Sequence, residues 1–309
     1  MAVLVCGALA FDTITAHEGR FASQLLPDQL HNINVSFVVP TLRREFGGCA
    51  GNIAYTLHQL GGAPVVMAAL GSDGADYLRR LESWGTDTSL VLHCPEAYTA
   101  QAMIITDVDH NQITAFHPGA MAQTQRIALP PGRGDLTLAI IAPDNREAML
   151  AHAGQVAAAG IPFVLDPGQS LPEFDAADLQ CLVAQASWIA VNDYEARLLC
   201  ERMGTTLEAL SQRPGLRGVI VTQGAAGCVL WQQGRTSVVA GVAADPIVDP
   251  TGCGDAFRGA LLYGLAQGWV LERCVMLGNR VGALKMAQRG GQNHAIPPGF
   301  LDAAQSLNR

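Results

Sequence analysis

A glycine-rich run towards the C-terminal end of the chain combines residue types that suit the handling of a phosphate. Residues 249–259 read Asp-Pro-Thr-Gly-Cys-Gly-Asp-Ala-Phe-Arg-Gly. Gly252 and Gly254 remove side chains where the backbone must approach a ligand, and apolar residues recur at helical spacing from Ala256 onwards. A glycine-rich turn that opens a helix presents unpaired N–H groups and the positive end of the helix dipole, so it can bind a phosphate.

The carboxylate of Asp255 lies on the same turn, where its charge would repel a bound anion. This placement makes sense if the carboxylate takes a proton from a hydroxyl group that then attacks the phosphorus. The alternative is that Asp255 only caps the helix, as aspartate often does. The run on its own leaves both interpretations open.

The composition predicts a compact globular protein and argues against several kinds of partner. The 309 residues are 49% hydrophobic and 15% charged, which is enough to bury a large core in one α/β domain with an appendage. The net charge of −8 argues against nucleic acid or an anionic membrane as a partner. The only lysine, Lys285, has no glycine-rich loop beside it, so a Walker A loop is excluded.

The cysteines and histidines show no pattern of a zinc site or a disulfide framework. The eight cysteines contain no C-x-x-C pair, and the eight histidines form no H-E-x-x-H motif. Such scattered cysteines are typical of a reducing compartment. The start of the chain has no basic segment of a signal peptide, and no apolar stretch is long enough to span a membrane. We therefore expect a cytoplasmic protein.

Strand and helix patterns alternate through most of the chain. Apolar runs predict strands at 3–6, 136–142, 161–165, 187–191 and 218–222, and helical spacing predicts helices at 146–159 and 193–203. This βαβ rhythm predicts an α/β fold with a doubly wound, mostly parallel sheet and helices on both faces. Asp166, Asn192 and Thr222 follow or end predicted strands, at the sheet edge where open α/β sheets bind ligands.

Two regions interrupt this rhythm. Residues 28–46 contain the β-branched and aromatic run 33–39, and residues 98–117 alternate around a turn at 107–111. Both patterns predict antiparallel strands or hairpins without an intervening helix. The alternative is an ordinary hairpin at the edge of the main sheet.

Five motifs occur in a fixed order along the chain. Besides 249–259 they are Gly-Gly-Cys-Ala-Gly-Asn-Ile-Ala at 47–54, Gly-Ser-Asp-Gly at 71–74, Asn-Asp-Tyr-Glu at 192–195 and Val-Thr-Gln-Gly-Ala-Ala-Gly at 221–227. This ordered set resembles the ribokinase-like (PfkB) family of sugar and nucleoside kinases. The resemblance implies one ribokinase-like domain over residues 1–309, with a small β-strand lid formed near 13–46 and 95–118. It also leaves room for a homodimer formed through the lid.

The resemblance implies an ATP- and Mg²⁺-dependent kinase in which Asp255 accepts the proton of the acceptor hydroxyl. The backbone N–H groups of Gly252, Cys253 and Gly254 would bind the charge that spreads over the transferred phosphoryl group. Cys253 departs from the small residue usual in the family. A position that acts through its N–H group should tolerate that change.

The resemblance also assigns residues to the acceptor. Asp12 would accept hydrogen bonds from adjacent ribose hydroxyls, Gly47 and Gly48 would let the backbone reach the sugar, and Asn52 would offer a donor and an acceptor. Phe116 would contact the base from the lid. Without the resemblance, Asp12 is a turn or capping residue and Asn52 is a polar residue on a first helical turn.

The nucleotide and metal ligands follow from the same resemblance. The expected ATP contacts are Asn192, Thr222, Gly224, Gly227 and Asn279. Glu195 would act on Mg²⁺ through water, and Asp249 and Thr251 could supply ligands to a monovalent cation such as K⁺. The spacing of Asn192 and Glu195 is also that of a capping box, which can coexist with the metal role.

Three segments are most similar to the bacterial adenosine kinases of this family, namely 43–52, 112–120 and 190–196. The similarity implies transfer to the 5′-hydroxyl of adenosine, with Phe37 and Val39 joining Phe116 in an apolar slot for the base. Arg43 and Arg44 could instead bind a sugar phosphate. A ribokinase- or fructokinase-type sugar or sugar-phosphate kinase is therefore the alternative.

A non-catalytic nucleoside or sugar sensor on the same fold is the rival from another class. A sensor has no need of a base, so the intact Asp255 and its flanking glycines argue against it. A Rossmann dehydrogenase is a third option, but no G-x-G-x-x-G follows the first strand.

Overall fold

Two separate sheets organise the chain. The computed structural model of the protein describes residues 2–23, 34–109 and 111–301. The strands in these ranges are β1 (Ala2–Cys6), β2 (Ala10–Ala16), β3 (Thr41–Gly47), β4 (Ala63–Gly71), β5 (Asp87–Cys94), β6 (Ala100–Thr106), β7 (Gln112–His117), β8 (Leu136–Ile141), β9 (Phe163–Leu165), β10 (Trp188–Asn192), β11 (Gly218–Thr222), β12 (Gly227–Gln232) and β13 (Arg235–Ala240). The helices are α1 (Cys49–Gln59), α2 (Ala75–Ser83), α3 (Arg146–Ala158), α4 (Ala176–Gln185), α5 (Asp193–Met203), α6 (Leu207–Ser211), α7 (Cys253–Ala266) and α8 (Leu271–Lys285).

The larger sheet is mostly parallel. Within the described ranges it has nine strands in the order β13-β12-β11-β10-β9-β8-β1-β4-β5. All neighbours from β11 to β5 are parallel, while β12 and β13 are antiparallel additions at one edge. Because both faces of the parallel part are covered, β1 and β4 are almost continuous apolar runs. The predicted fold class is confirmed.

Helices pack on both faces of this sheet and close two cores. On one face α1, α2, α7 and α8 bury residues such as Ile53 and Leu261. On the other face α3, α4, α5 and α6 bury residues such as Met149 and Leu199. Each fully buried large apolar side chain contributes roughly 1.5–3 kcal/mol. The cores therefore hold the carboxyl ends of the strands in place, and the functional site is built at those ends.

The smaller sheet, which we call the lid sheet, contains β3-β2-β6-β7 in that order. β2 pairs with β6 in parallel, and the other two pairings are antiparallel. The predicted hairpin in region 98–117 is confirmed as β6 and β7, with Asp107 accepting backbone N–H bonds from Asp109 and Asn111 in the turn. These strands also form a sheet of their own rather than an edge of the main sheet. The boundaries of the domain and of the lid segments stay a prediction.

The antiparallel strand expected in region 28–46 is β3, which pairs with β2, but the β-branched run itself forms no strand in its described residues. Residues 34–39 have no strand, and the strand of this region is β3, which begins at Thr41. Phe37 packs its ring edge-on against Phe21 at 5.0 Å, and Pro40, which has no N–H group, stands immediately before the strand. The rest of that prediction, residues 28–33, lies outside the described residues.

Most other predicted elements are confirmed with shifts of one or two residues at their ends. The helix Asp193–Met203 and the strand Gly218–Thr222 begin and end at the predicted residues. Asn279 lies in the middle of α8, which begins at Leu271 and ends at Lys285. In the part of the chain that the structure describes, we find no helix both long and apolar enough to cross a membrane.

Candidate active site

The 249–255 loop forms the centre of the site. Gly252 precedes α7 with φ 74°, a left-handed conformation that favours glycine. A side chain there would bring its Cβ to 2.9 Å from Cα of Gly291. The loop therefore requires glycine at this position both for its conformation and for space. The Cys253 N–H donates to the Pro250 carbonyl at 3.1 Å. This donor, predicted to bind a phosphoryl group, is thus used within the loop in this structure.

Two cavities meet at this loop. The first, which we call the lid-side cavity, has a volume of about 490 Å³ and lies between the loop and the lid sheet. The second, the α8-side cavity, has a volume of about 510 Å³ and lies between the loop, β11 and α8. Pro250, Cys253 and Gly254 line both cavities. The loop can therefore contact two ligands at once.

Asp255 lies on the first turn of α7 and lines the lid-side cavity. Its Oδ2 accepts a hydrogen bond from Asn52 Nδ2 at 2.8 Å. Burial, reinforced by the charge of Asp166, raises the pKa of Asp255 to about 6, while the Asn52 bond and Arg258 act in the opposite direction. A carboxylate with a pKa near 6 is ionised at neutral pH and is a better proton acceptor than an ordinary aspartate.

A hydrogen-bonded chain holds Asn52 against Asp255. Asn52 Oδ1 accepts from Gln292 Nε2 at 3.1 Å. The same Gln292 nitrogen lies 2.6 Å from the Tyr77 hydroxyl, which donates to the carbonyl of Gly47 at 2.6 Å. Asn52 is almost fully buried. Its amide therefore orients Asp255, and only its remaining N–H and lone pair are left for the ribose contact expected from the sequence.

Asp12 lies on β2, directly opposite Glu45 of β3, and also lines the lid-side cavity. Burial first, and then the charges of Asp255, Glu45 and Asp249, raise its pKa to about 6. A Cβ atom at Gly47 would collide with the Asp12 carboxylate. Glycine at this position therefore leaves room for Asp12, while Gly47 itself is not among the residues that line the cavity.

Gly48 and Phe116 complete the expected acceptor residues. Gly48 lines the lid-side cavity with φ 81°, and a Cβ there would lie 2.5 Å from the Ala8 carbonyl oxygen. Phe116 lines the same cavity from β7 and is 53% exposed. Phe37 does not share that placement, since it packs against Phe21 and His17. The apolar slot predicted from three lid residues thus retains Phe116 as its cavity-lining member.

Sequence reasoning missed two residues of the site. Arg258, one turn after Asp255, pairs with Asp166 through Nε and Nη2 at 2.8 and 3.0 Å, and both side chains are buried. Asp144 follows β8, lines the lid-side cavity, and has a pKa raised to about 7 by burial. Its buried Oδ2 has no hydrogen-bond partner among the described residues. Arg258 could have been noticed in the sequence as a basic residue inside an otherwise apolar helix, whereas no sequence pattern pointed to Asp144.

The α8-side cavity contains all five residues expected to contact ATP, namely Asn192, Thr222, Gly224, Gly227 and Asn279. The last of these ties α8 to the sheet edge, because its amide nitrogen donates to the Ala240 carbonyl at 2.9 Å. The remaining wall is largely apolar and includes Val242, Ile247 and Met286. An apolar cavity with a few backbone polar groups suits a nucleobase and its phosphates.

Glu195 forms the predicted capping box with Asn192. Glu195 Oε2 accepts from the Asn192 N–H, and Asn192 Oδ1 accepts from the Glu195 N–H, both at 2.8 Å. Burial, and then the charge of Asp166, raises the pKa of Glu195. Such an acidic group beside the α8-side cavity fits Mg²⁺ held through water, because a cation would relieve the repulsion between the carboxylates.

Asp249 and Thr251 fit the expected monovalent cation poorly. The Asp249 carboxylate accepts the N–H groups of Thr251 and Gly290, each at 2.9 Å. The Asp249 carbonyl oxygen accepts from Lys285 Nζ at 2.7 Å. An ammonium group thus already occupies one of the oxygens that Asp249 could offer to a K⁺ ion. No group of acidic, histidine or cysteine side chains in the described ranges is arranged to hold a metal ion directly.

Comparisons with known proteins agree with this geometry. Residues 22–297 match the pfkB family carbohydrate kinase domain. The chain is 28% identical to the nucleoside kinase of Methanocaldococcus jannaschii over 264 residues, which cover 84% of this chain and 85% of the relative. The solved structure of Burkholderia thailandensis nucleoside kinase with inosine is 44% identical, covers 99% of this chain and 97% of that one, and has a TM-score of 0.87.

A second solved structure, that of the M. jannaschii nucleoside kinase, is 25% identical with a TM-score of 0.88 and covers 99% of this chain and 98% of its own. The family match covers the described strands and helices from β3 to α8. The lid sheet, the two cavities and the glycine loop between them are the parts that such a kinase needs. The chain belongs to the pfkB carbohydrate kinase family and is an ATP-dependent kinase with a hydroxyl acceptor.

Proposed function

We propose that the chain transfers the γ-phosphoryl group of ATP to the 5′-hydroxyl of purine nucleosides, adenosine among them. The observation that carries the proposal is the position of Asp255, a carboxylate on the turn that separates a cavity lined by several carboxylates from a more apolar one. Relatives supply the acceptor class, since the 44% identical structure contains inosine. A further structure of that kinase, 46% identical, is described with ADP-inosine.

In the proposed mechanism the nucleoside occupies the lid-side cavity. Asp12 accepts hydrogen bonds from the ribose hydroxyls, a task suited to a carboxylate with two acceptor oxygens. Phe116 contacts the base, and Asp144 offers a polar atom at the other side of the cavity. This arrangement directs the 5′-hydroxyl towards Asp255, which takes its proton as the oxygen attacks the γ-phosphorus.

ATP occupies the α8-side cavity, with its phosphates at the loop. The N–H groups of Gly252, which precedes α7, and of Gly254, on its first turn, stabilise the charge on the transferred phosphoryl group. The Cys253 N–H joins them when its bond to Pro250 opens. Glu195 would hold Mg²⁺ through water, and the ion would neutralise charge on the phosphates.

The arginines of β3 weigh against a sugar-phosphate acceptor. Arg44 pairs with Asp73 at 2.7 Å and stacks on the Phe11 ring at 3.6 Å. Arg43 lies 3.7 Å from Glu45. Neither arginine is among the residues that line the lid-side cavity. Ribokinase or fructokinase activity is the second candidate, because curated relatives include the ribokinase of Mus musculus at 24% identity and the fructokinase-2 of Zea mays at 26%.

A coupled assay of ADP formation tests the proposal directly. The acceptors are adenosine, inosine, guanosine, pyrimidine nucleosides, ribose, fructose and fructose 6-phosphate, each at the same concentration with ATP and Mg²⁺. We expect kcat/KM to be highest for a purine nucleoside. A preference for ribose, fructose or fructose 6-phosphate would replace the proposed acceptor. Nucleoside binding without turnover would instead point to the sensor.

The lid sheet also carries our proposal for self-association. Leu42, Met103 and Ile113 on its strands are between 41% and 68% exposed. Exposed apolar groups on one small sheet are typical of a contact surface. Analytical ultracentrifugation of the wild type should show a dimer, and Ile113→Glu with Met103→Glu should give a monomer. A monomeric wild type would contradict this proposal.

A further inference from the structure

Lys285 is a charged side chain that is buried away from water, where an ionised group is energetically unfavourable. It is the only lysine of the chain, and it is fully buried at the C-terminal end of α8. Burial lowers its pKa, while the charges of Asp249, Cys253 and Asp255 act in the opposite direction. A buried ammonium group is retained only where its partners or its task compensate for the loss of water.

The Lys285 bond joins two segments of the site. Nζ donates to the carbonyl oxygen of Asp249 at 2.7 Å. The backbone N–H groups of Val248 and Asp249 both donate to the carbonyl of Met286, at 2.8 and 3.1 Å. The Gly290 N–H donates to Asp249 Oδ2 at 2.9 Å. The segment 285–290 is thus fastened to the start of the 249–255 loop by backbone bonds and by one ammonium group.

A monovalent cation placed between these segments would perform the same task. It would bind backbone carbonyl oxygens of the 249–251 segment and add one positive charge behind the phosphate-binding turn. Here the Asp249 carbonyl already accepts from an ammonium group, and a second cation beside it would be repelled. The Asp249 carboxylate is held by the N–H groups of Thr251 and Gly290 rather than left for a metal ion.

We propose that the Lys285 ammonium is a built-in replacement for a monovalent cation beside the 249–255 loop, so that this kinase works equally well without K⁺ or Na⁺. Lys285 is a positioning residue, since it acts on the transferred phosphoryl group through the loop. The proposal rests on the kinase activity of the chain and not on the identity of its acceptor. A preference for another acceptor would therefore leave it intact.

The wild-type enzyme provides the main test. Initial rates and the affinity for ADP, measured by calorimetry, are compared in KCl, NaCl and tetramethylammonium chloride at equal ionic strength. We expect kcat and the ADP Kd to differ less than about twofold among the salts, and the Tm to differ by less than about 2 °C. Stimulation of kcat by K⁺ of about tenfold or more over tetramethylammonium would overturn the proposal.

The variant Lys285→Met keeps an unbranched side chain that is one atom shorter and removes its charge. We expect its kcat to fall about tenfold or more, because one fewer positive charge supports the transferred phosphoryl group. The matched control is Arg273→Met, which removes one positive charge from α8 about 18 Å further along the helix. It should change kcat less than about threefold, because Arg273 lies at the opposite end of α8, where it stacks on Trp269.

The fold of Lys285→Met is checked by circular dichroism and Tm before its rate is interpreted. A folded Lys285→Met enzyme with wild-type kcat in all three salts would contradict the role of the ammonium group. If the variant does not fold, the cation profile of the wild type and its ADP affinities still decide the question. Cation-independent ADP binding with a low rate would point to the acceptor rather than to this site.

Discussion

The two cavities that meet at the 249–255 loop are lined by different kinds of residues. Asp12, Asp144 and Asp255 line the lid-side cavity, and burial raises the pKa of each. The α8-side cavity has glycine backbone, an apolar wall and one buried arginine, Arg258. Carboxylates recognise and deprotonate hydroxyl groups, whereas backbone N–H groups tolerate a bound polyanion. The difference shows how one loop can separate an acceptor from a donor without a Walker lysine.

We expect the largest effect from removing the carboxylate that is proposed to be the base in the lid-side cavity. Asp255→Asn should lower kcat by about 10²–10⁴ while nucleoside affinity stays within a few fold, because the base acts on the reacting proton. Single-turnover rates and calorimetry measure the two effects separately. Near wild-type kcat would contradict the role of Asp255 as the base.

The same variant also has a predicted effect on stability. The pKa of Asp255 is raised in the folded state to about 6 from an ordinary value of 3.8. Its contribution to stability is therefore present below pH 3.8 and is lost as the pH rises through 6. At pH 7.5 the ionised carboxylate destabilises the fold, so Asp255→Asn should raise Tm. A lower Tm at that pH would argue against the burial cost.

The next largest effect is expected at Asp12. Asp12→Ala should lower kcat/KM for adenosine about 10- to 100-fold, since it removes charged hydrogen bonds to the ribose. The wild type should discriminate strongly against 2′-deoxyadenosine, and the variant should lose most of that discrimination. Steady-state kinetics on both nucleosides measure this. Undiminished discrimination in the variant would place the ribose contacts elsewhere.

A change in the α8-side cavity should affect the donor alone. Asn279→Ala removes the bond to Ala240 that ties α8 to the sheet edge. We expect the KM for ATP to rise about two- to tenfold, in line with the loss of one neutral hydrogen bond. The KM for the nucleoside serves as the internal control and should not change. Equal increases in both KM values would mean that the cavities do not separate the two substrates.

The smallest effect is expected at Cys253, which lines both cavities. Its thiol lies 3.5 Å from the Gly282 carbonyl, while its backbone N–H is the group proposed to act on phosphate. Cys253→Ala should therefore keep most of the activity. A loss of more than about tenfold in kcat, equivalent to roughly 1.4 kcal/mol, in a folded variant would give the thiol a role of its own.

The parts of the site that the sequence could predict are those encoded within one short run. Gly252, Gly254 and Asp255 lie within one short run of the sequence, so their types and spacing indicate their chemistry. The hydrogen bonds that hold Asp255 in place could not be predicted from the sequence, because Asn52 and Gln292 are 240 residues apart and meet only in the fold. The bond from Lys285 to Asp249 depends equally on how α8 ends against the loop.

The fold was predictable for a related reason. Buried parallel strands such as Val3–Cys6 and Gly218–Thr222 are local apolar runs, and helices such as Asp193–Met203 have local caps. The conformation of the region before β3 was not predictable, because its β-branched run ends at Pro40 and Phe37 packs against Phe21. Tertiary packing overrode local preference there. The apolar wall around Val242 and Ile247 has no periodic pattern that could have indicated a cavity.

The pH dependence of kcat/KM tests most directly whether a carboxylate in the lid-side cavity accepts the proton. Asp12 and Asp255 both have pKa values raised to about 6, and in the proposed mechanism both are ionised when they bind and deprotonate the nucleoside. We predict that kcat/KM is constant above pH 7 and falls below about pH 6 with a slope greater than one. In Asp12→Ala the slope should drop to one. A wild-type profile that stays flat down to pH 4.5 would contradict the role of Asp255 as the base.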